Sequence, residues 1–452
     1  MDPADLDIRS ALAAQRQGEL TSWDLTAACL ARIEAQNDTY RAFIATTSSE
    51  AMSAAAAADH ARGRGEWLGP LHGIPISLKD LVDQRGVPTT AGSRVAPATP
   101  ASADAPVTAR LRRAGAVLVG KCNLHEFAFG TTSEESAFGA ARNPADPTRS
   151  PGGSSGGSAI AVKTGMSLAS IGTDTGGSIR IPAAACGIVG LKPGLGEISC
   201  DGVVPLSRTL DHVGPLAKTV ADAAIVYGAV TGNLVAALER PRPINGIRIG
   251  VLGDYFTARL EPDVAALVGA ARDRLAAAGA VIEEVALAHA DTIAPVYLTI
   301  VLAEAAAFHG ETLERVPDRY SPGVRQRLEA GRYVLAEDYL RALRGRDVLR
   351  AIVDGALGSY DVLLAPTLPI EAPVIGTVSV TIDGVPEPVR NLMLRLTQPF
   401  NVTGHPAISI PCGITKAGLP AGLQLVGRHG LTPELLGVAL ACEQHIRGVS
   451  SS

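Results

Sequence analysis

Aromatic residues are scarce in this 452-residue chain, where Phe, Tyr and Trp together make up 4%. That scarcity removes the stacking platforms on which single-stranded nucleic acids are held. Excess positive charge is missing too. Lys and Arg number 40 against 45 Asp and Glu, a formal net charge of −5, so no basic surface in bulk meets a phosphate backbone. A direct nucleic-acid ligand is not expected, although a charged tRNA held by partner chains would escape this argument. Cysteine is sparse and scattered: Cys29, Cys122, Cys186, Cys200, Cys412 and Cys442 include no C-x-x-C pair. This argues against zinc ligation and a disulfide framework, and for buried thiols in a reducing compartment. No uninterrupted apolar run reaches the roughly 18 residues of a membrane span. The acidic start Met1-Asp2-Pro3-Ala4-Asp5 lacks the basic and apolar regions of a secretory signal. A soluble, cytoplasmic protein is expected, with no membrane partner, no metal and no other cofactor.

What is present is enough apolar material for a large core: 46% of the residues are hydrophobic and 19% charged. Length alone suggests about three domains, but nothing repeats at a fixed period and no low-complexity linker separates independent units. The expected architecture is therefore a single α/β domain over residues 1–452 with a large mixed sheet. Residues 1–60 read as an N-terminal helical layer, with Thr21-Ser22-Trp23-Asp24 as a capping box and Leu25, Cys29, Leu30 and Ile33 at helical spacing. A catalytic core follows over 61–240, where short apolar runs alternate with glycine and proline; Ala116–Gly120 is its clearest strand. An outer α/β and helical region spans 241–358, with strands at Ile247–Leu252 and Val281–Leu287 around a helix at Pro262–Ala278, an order that predicts parallel pairing. Residues 359–452 supply core strands at Tyr360–Ala365, Ala407–Ile410 and Gly422–Val426 and a closing helix from Thr432. The Pro/Gly-rich stretch Arg240–Gly246 is the best candidate for a subdomain joint.

The chemistry concentrates in two glycine–serine clusters, Gly152-Gly153-Ser154-Ser155-Gly156-Gly157-Ser158 and Asp174-Thr175-Gly176-Gly177-Ser178-Ile179-Arg180, and in one upstream lysine, Lys79. Ser178 follows two glycines, so the amides of Thr175, Gly176, Gly177 and Ser178 can turn inward as an oxyanion nest, worth roughly 3 kcal/mol per donor. Taken singly, T-G-G-S is an ordinary glycine turn. Ser154 is the proposed proton relay; its cluster also reads as a flexible linker, but it runs directly into the apolar Ala159-Ile160-Ala161-Val162. The same stretch satisfies G-x-S-x-G and would nominate Ser155 as an α/β-hydrolase nucleophile, which requires a strand immediately before it. Lys79 is the proposed base. To act near neutrality it must lose about three pKa units, some 4 kcal/mol, which burial among Ile74, Ile76, Leu78, Leu81 and Val82 can supply. A lone lysine is otherwise a solvated surface group. Asp174 and Arg180 flank the nucleophile as supports that order the loop through a charge-assisted hydrogen bond. No histidine competes: His72 and His125 have no evident carboxylate partner, and His405 reads as a turn residue.

Together these residues closely resemble the amidase signature family. Its pattern matches the Gly152–Ser158 run, Gly172-Thr173-Asp174-Thr175-Gly176-Gly177-Ser178-Ile179-Arg180-Ile181-Pro182 and Cys186-Gly187-Ile188-Val189-Gly190-Leu191-Lys192-Pro193. The resemblance covers nearly the whole chain. It implies a Ser–cis-Ser–Lys triad of Ser178, Ser154 and Lys79, with the cis peptide before Ser154, and a mixed sheet of about eleven strands covered by helices on both faces. It implies hydrolysis of a small-molecule amide by a cofactor-free enzyme, and a homodimer is compatible with it. The family also contains the amidase component of the tRNA-dependent amidotransferase, and hydrolases of carboxylated ureas. The stretch Gly331–Tyr339 departs from the tyrosine-rich segment of that component, and Gly202–Ser207 and Gln398–Asn401 resemble the free-standing hydrolases. The expectation is therefore a free-standing amidase, with the amidotransferase component and the urea hydrolases as alternatives.

Overall fold

The computed structural model describes residues 2–95, 99–233 and 235–447. Thirteen strands occur among them. Eleven form one sheet: β1 (Phe43–Thr46), β2 (Pro75–Lys79), β3 (Val117–Cys122), β4 (Ala169–Asp174), β5 (Val189–Lys192), β6 (His212–Ala217), β7 (Arg248–Leu252), β8 (Val281–Val285), β9 (Val362–Pro366), β12 (Ala407–Ile414) and β13 (Pro420–Val426). The other two, β10 (Ser379–Ile382) and β11 (Val385–Pro388), make a separate hairpin. The sheet order is β1-β3-β2-β4-β6-β5-β12-β13-β9-β7-β8. Pairing is parallel for β2 with β3 and β4 and for β7 with β8 and β9, and antiparallel elsewhere. This is the expected mixed eleven-stranded sheet with helices on both faces. It runs without a break through strands from both sides of Arg240–Gly246.

Strand geometry explains the two layers. Successive residues point to opposite faces, so Val362 and Leu364 of β9 enter one core while Leu363 and Ala365 enter the other. The first core is closed by helices Ile8–Gln17, Ser22–Tyr40, Pro106–Arg113, Val220–Thr231, Pro262–Ala277 and Thr432–Arg447; the second by Ile293–Arg315, Pro322–Gly331, Ala336–Leu357 and Val389–Arg395. The Thr21 cap forms as expected, its hydroxyl accepting from the Asp24 amide at 2.9 Å.

One reading needs correction. The N-terminal 60 residues are not all helical, because Phe43–Thr46 adds an edge strand antiparallel to β3. One stretch, Ala290–Arg315, does have the length and mean hydropathy of a membrane span. In this fold Tyr297, Ile300, Val301 and Ala305 of that stretch are buried in the second core.

Candidate active site

Lys79 is the last residue of β2, and Thr173 and Asp174 are the last of the neighbouring parallel strand β4. Polar groups thus gather at the carboxyl ends of adjacent parallel strands, where an α/β sheet leaves a crevice. Lys79 is fully buried, as are Ile74, Ile76, Leu78, Leu81 and Val82 around it. Its Nζ lies 2.7 Å from Ser154 Oγ and 2.7 Å from Thr173 Oγ1. Loss of hydration pulls the Lys79 amine down from 10.5 to about 7, against the opposing pull of Asp174 and Asp211. That difference corresponds to about 5 kcal/mol of disfavoured charge.

Ser154 is preceded by a cis peptide bond from Gly153. The loop is not a solvated linker: residues 151–162 are buried throughout, and a helix begins at Gly156. Ser133 fastens it, its hydroxyl donating to the carbonyls of Gly152 at 3.0 Å and Ser154 at 3.2 Å. No strand lies between β3 and this loop, so the context that a G-x-S-x-G nucleophile at Ser155 requires is missing. Ser155 instead joins the two serine segments. Its amide donates to the Ser178 carbonyl at 3.2 Å and its hydroxyl to the Thr173 carbonyl at 3.2 Å.

Ser178 sits in the turn between β4 and the short helix Arg180–Cys186, and the residue retains a little exposure, 5%. Among the described residues the amides of Thr175, Gly176, Gly177 and Ser178 donate to no protein acceptor. The turn is held from behind. Arg180 meets Asp174 through Nε–Oδ2 and Nη2–Oδ1 contacts of 3.1 Å each, with both side chains fully buried. Burial alone would raise the Asp174 carboxyl, but the Arg180 guanidinium outweighs it and holds the group well below the usual carboxylate range.

Several residues that the sequence pattern did not single out complete the frame. Asn401 Nδ2 donates to Asp174 Oδ1 at 2.8 Å, and Arg180 donates to Asn401 Oδ1 at 2.7 Å and Gln424 Oε1 at 3.0 Å. Thr397 Oγ1 donates to the Gly176 carbonyl at 2.7 Å. Asp211 accepts from Thr175 Oγ1 at 2.6 Å; burial raises its carboxyl to about 6, opposed by that hydrogen bond and by those from the Leu206 and Ser207 amides. Thr173 adjoins Asp174 inside the Gly172–Pro182 motif, whereas Thr397, Asn401 and Gln424 come from distant parts of the chain, and of these only Asn401 lies in a stretch quoted above, Gln398–Asn401.

The histidines need one correction. His125 does have a carboxylate partner, Glu135 Oε2 at 3.0 Å, and His405 is buried against Asp354 at 3.0 Å. Neither ring bonds a serine hydroxyl.

Similarity to known proteins agrees with this geometry. The family described as Amidase matches residues 24–436. The A-type subunit of glutamyl-tRNA(Gln) amidotransferase from Chloroflexus aurantiacus is 41% identical over 459 aligned positions, covering 94% of this chain and 93% of that protein. A crystal structure of an amidase superposes with a TM-score of 0.92 at 38% identity, covering 97% of this chain and 99% of the other. The corresponding glutamyl-tRNA(Gln) amidotransferase component of Thermotoga maritima superposes with a TM-score of 0.80 at 31% identity, covering 98% and 95%.

Proposed function

We propose that this chain, which belongs to the amidase family, hydrolyses a small carboxylic amide through an acyl-enzyme on Ser178. The observation that carries the reading is the 2.7 Å separation of Lys79 Nζ from Ser154 Oγ inside a fully buried site. An amine whose pKa is near 7 is available as a base at neutral pH. In the proposed sequence Ser178 Oγ forms a bond to the amide carbon while its proton passes to Ser154, and the Ser154 proton passes to Lys79. The amides of Gly176, Gly177 and Ser178, with that of Thr175, stabilise the tetrahedral oxyanion. The C–N bond then breaks, and the proton returns through Ser154 to the departing nitrogen. Water enters by the same relay to release the acid. Both serines stand at the amino ends of buried helices, whose dipoles favour developing negative charge.

The test is ammonia or amine release by the purified chain over a panel of simple amides, with Ser178→Ala beside it. Turnover that Ser178→Ala abolishes supports the reading; a variant with full turnover overturns it.

A second reading rests on the Chloroflexus and Thermotoga relatives, both components of a glutamyl-tRNA(Gln) amidotransferase. On this reading the chain releases ammonia from glutamine only within an assembly of partner chains. Turnover of simple amides by the lone chain counts against it; ammonia transfer that appears only with partner chains and glutamyl-tRNA favours it.

A further inference from the structure

One ring nitrogen beside the active site meets no hydrogen-bond donor among the described residues. His212 opens β6 and pairs with Asp174 across the sheet. The residue is buried, 2% exposed, and its Nδ1 faces the carbonyls of Leu210 at 2.7 Å and Asp174 at 3.2 Å. Carbonyl oxygens only accept, so Nδ1 carries the proton. Loss of hydration keeps the imidazole neutral, which leaves a lone pair on Nε2. That Nε2 is sealed from solvent and without a partner. Buried acceptors are rarely left alone, and a water commonly completes them.

His212 lines a small cavity together with Thr173, Thr175, Cys200, Asp211 and several aliphatic side chains. About 10 Å³ of it is open to the centre of a water molecule, which suits a single water. Elimination identifies the donor such a water meets. The Thr175 hydroxyl donates to Asp211 Oδ1 at 2.6 Å, and the Cys200 thiol to the Asp211 carbonyl at 3.7 Å. The Asp211 carboxylate already accepts from Thr175 and from the amides of Leu206 and Ser207. Only the Thr173 hydroxyl remains. Its oxygen lies 2.7 Å from Lys79 Nζ, and that nitrogen is its one side-chain partner among the described residues.

The direction of this last bond matters, because a neutral amine has one lone pair. If Thr173 donates to Lys79, the pair is occupied and the Ser154 proton has nowhere to go. If Thr173 donates elsewhere, Lys79 donates to Thr173 and keeps its lone pair for Ser154.

We propose that one enclosed water bridges Thr173 Oγ1 and His212 Nε2, and that His212 is thereby a positioning residue that aims the Lys79 lone pair at Ser154. The water accepts from the Thr173 hydroxyl and donates to Nε2, and the Asp211 carboxylate has an acceptor site left for its second hydrogen. This inference rests on the assignment of Lys79 as the base.

A high-resolution crystal structure of the wild-type chain is expected to hold an ordered water within about 2.6–3.2 Å of both Thr173 Oγ1 and His212 Nε2. In kinetics, His212→Asn keeps a donor near the Nδ1 position and removes the Nε2 acceptor, while His212→Gln keeps a polar group near Nε2. His212→Asn is expected to lower kcat about tenfold or more with KM nearly unchanged, and His212→Gln to lose less. In a Thr173→Val background, His212→Asn is expected to cost nothing further, because the hydroxyl it orients is gone. A general loss of packing would lower kcat equally in both backgrounds. Near-UV circular dichroism reports folding; if His212→Asn does not fold, the wild-type water decides. No water bridging the two atoms, a His212→Asn enzyme with wild-type kcat, or equal losses in the two backgrounds overturns the inference alone. Wild-type protein that turns over no amide and resists fluorophosphonate labelling overturns the hydrolase reading, and this inference with it.

Discussion

Asp174 and Arg180 form a two-point ion pair with no exposure of either side chain, directly behind the turn that carries Ser178. Asp174 Oδ2 also accepts from the amide of Ile179 at 3.1 Å, so the carboxylate orders the backbone on the far side of the nucleophile. Removing one partner strands the other charge in a dry interior. Arg180→Met is expected to lose about 3–5 kcal/mol of stability in urea unfolding, and the double variant Asp174→Asn/Arg180→Met less than the sum of the single losses. Additive losses would show that the pair is not coupled.

The Lys79 amine sets a pH dependence of both rate and stability. Below about pH 7 it is an ammonium and accepts no proton, so kcat/KM is expected to fall about tenfold per pH unit on the acid side of 7. For stability, the folded group binds fewer protons than the unfolded one between about pH 7 and 10.5, so its penalty is complete below 7 and relieved as pH rises through that window. Comparison with Lys79→Met, which is expected to be inactive, isolates this effect. The stability of Lys79→Met relative to wild type is expected to change by about 1.4 kcal/mol per pH unit above 7. Denaturation curves at several pH values check this; a pH-independent difference would place the amine's titration elsewhere.

Gly177 and Thr397 define how much room the oxyanion turn has. Gly177 adopts φ +138°, and a Cβ there would collide with Thr397 Oγ1. Gly177→Ala is expected to cost about 1–3 kcal/mol and to lower kcat by about 100-fold or more, because the donors can no longer converge. Gly196→Ala, also at positive φ (+82°) but in open space, supplies the control: a small stability loss with kcat unchanged. Thr397→Val, which removes the hydroxyl bonded to the Gly176 carbonyl, should cost about 1 kcal/mol and lower kcat. Equal kcat for the Gly177 and Gly196 variants would contradict the role given to the turn.

The six thiols are chemically quiet in the folded chain. Cys29, Cys122, Cys186, Cys412 and Cys442 are buried and Cys200 half-buried; burial pushes Cys122 up to about 11 and the others to about 12. Native protein at pH 8 is expected to release less than one equivalent of thionitrobenzoate from Ellman's reagent within minutes, and six equivalents in guanidinium chloride. Rapid native reaction of one thiol would locate an opening at that residue.

The outer parts of the sheet could be read from local pattern. The strands at 248–252, 281–285, 362–366 and 420–426 each carry three Val, Ile or Leu residues, and helix 262–277 between the first two supports parallel order. The central strands were not legible in this way. Ala169–Asp174 and His212–Ala217 are rich in Gly, Ser and Pro because neighbours press against both faces: a Cβ at Gly172 would lie 2.7 Å from Leu216 Cδ1. Small residues selected for close approach carry no β-strand signature.

By itself the sequence determined the chemical inventory: one lysine among aliphatic residues and two serines in glycine clusters, 75 and 24 residues apart. Local spacing exposes such groups because glycine and serine clusters act through backbone conformation, which is a short-range property. Whether Lys79 is neutral, by contrast, was decided only by the tertiary structure. Its pKa depends on complete removal from water and on Ser154 and Thr173, which the sheet brings to it from far along the chain. The same holds for Asn401 and Gln424, whose significance lies in the Arg180 charge that they meet. Electrostatic environment is a sum over spatial neighbours, and only the fold chooses those.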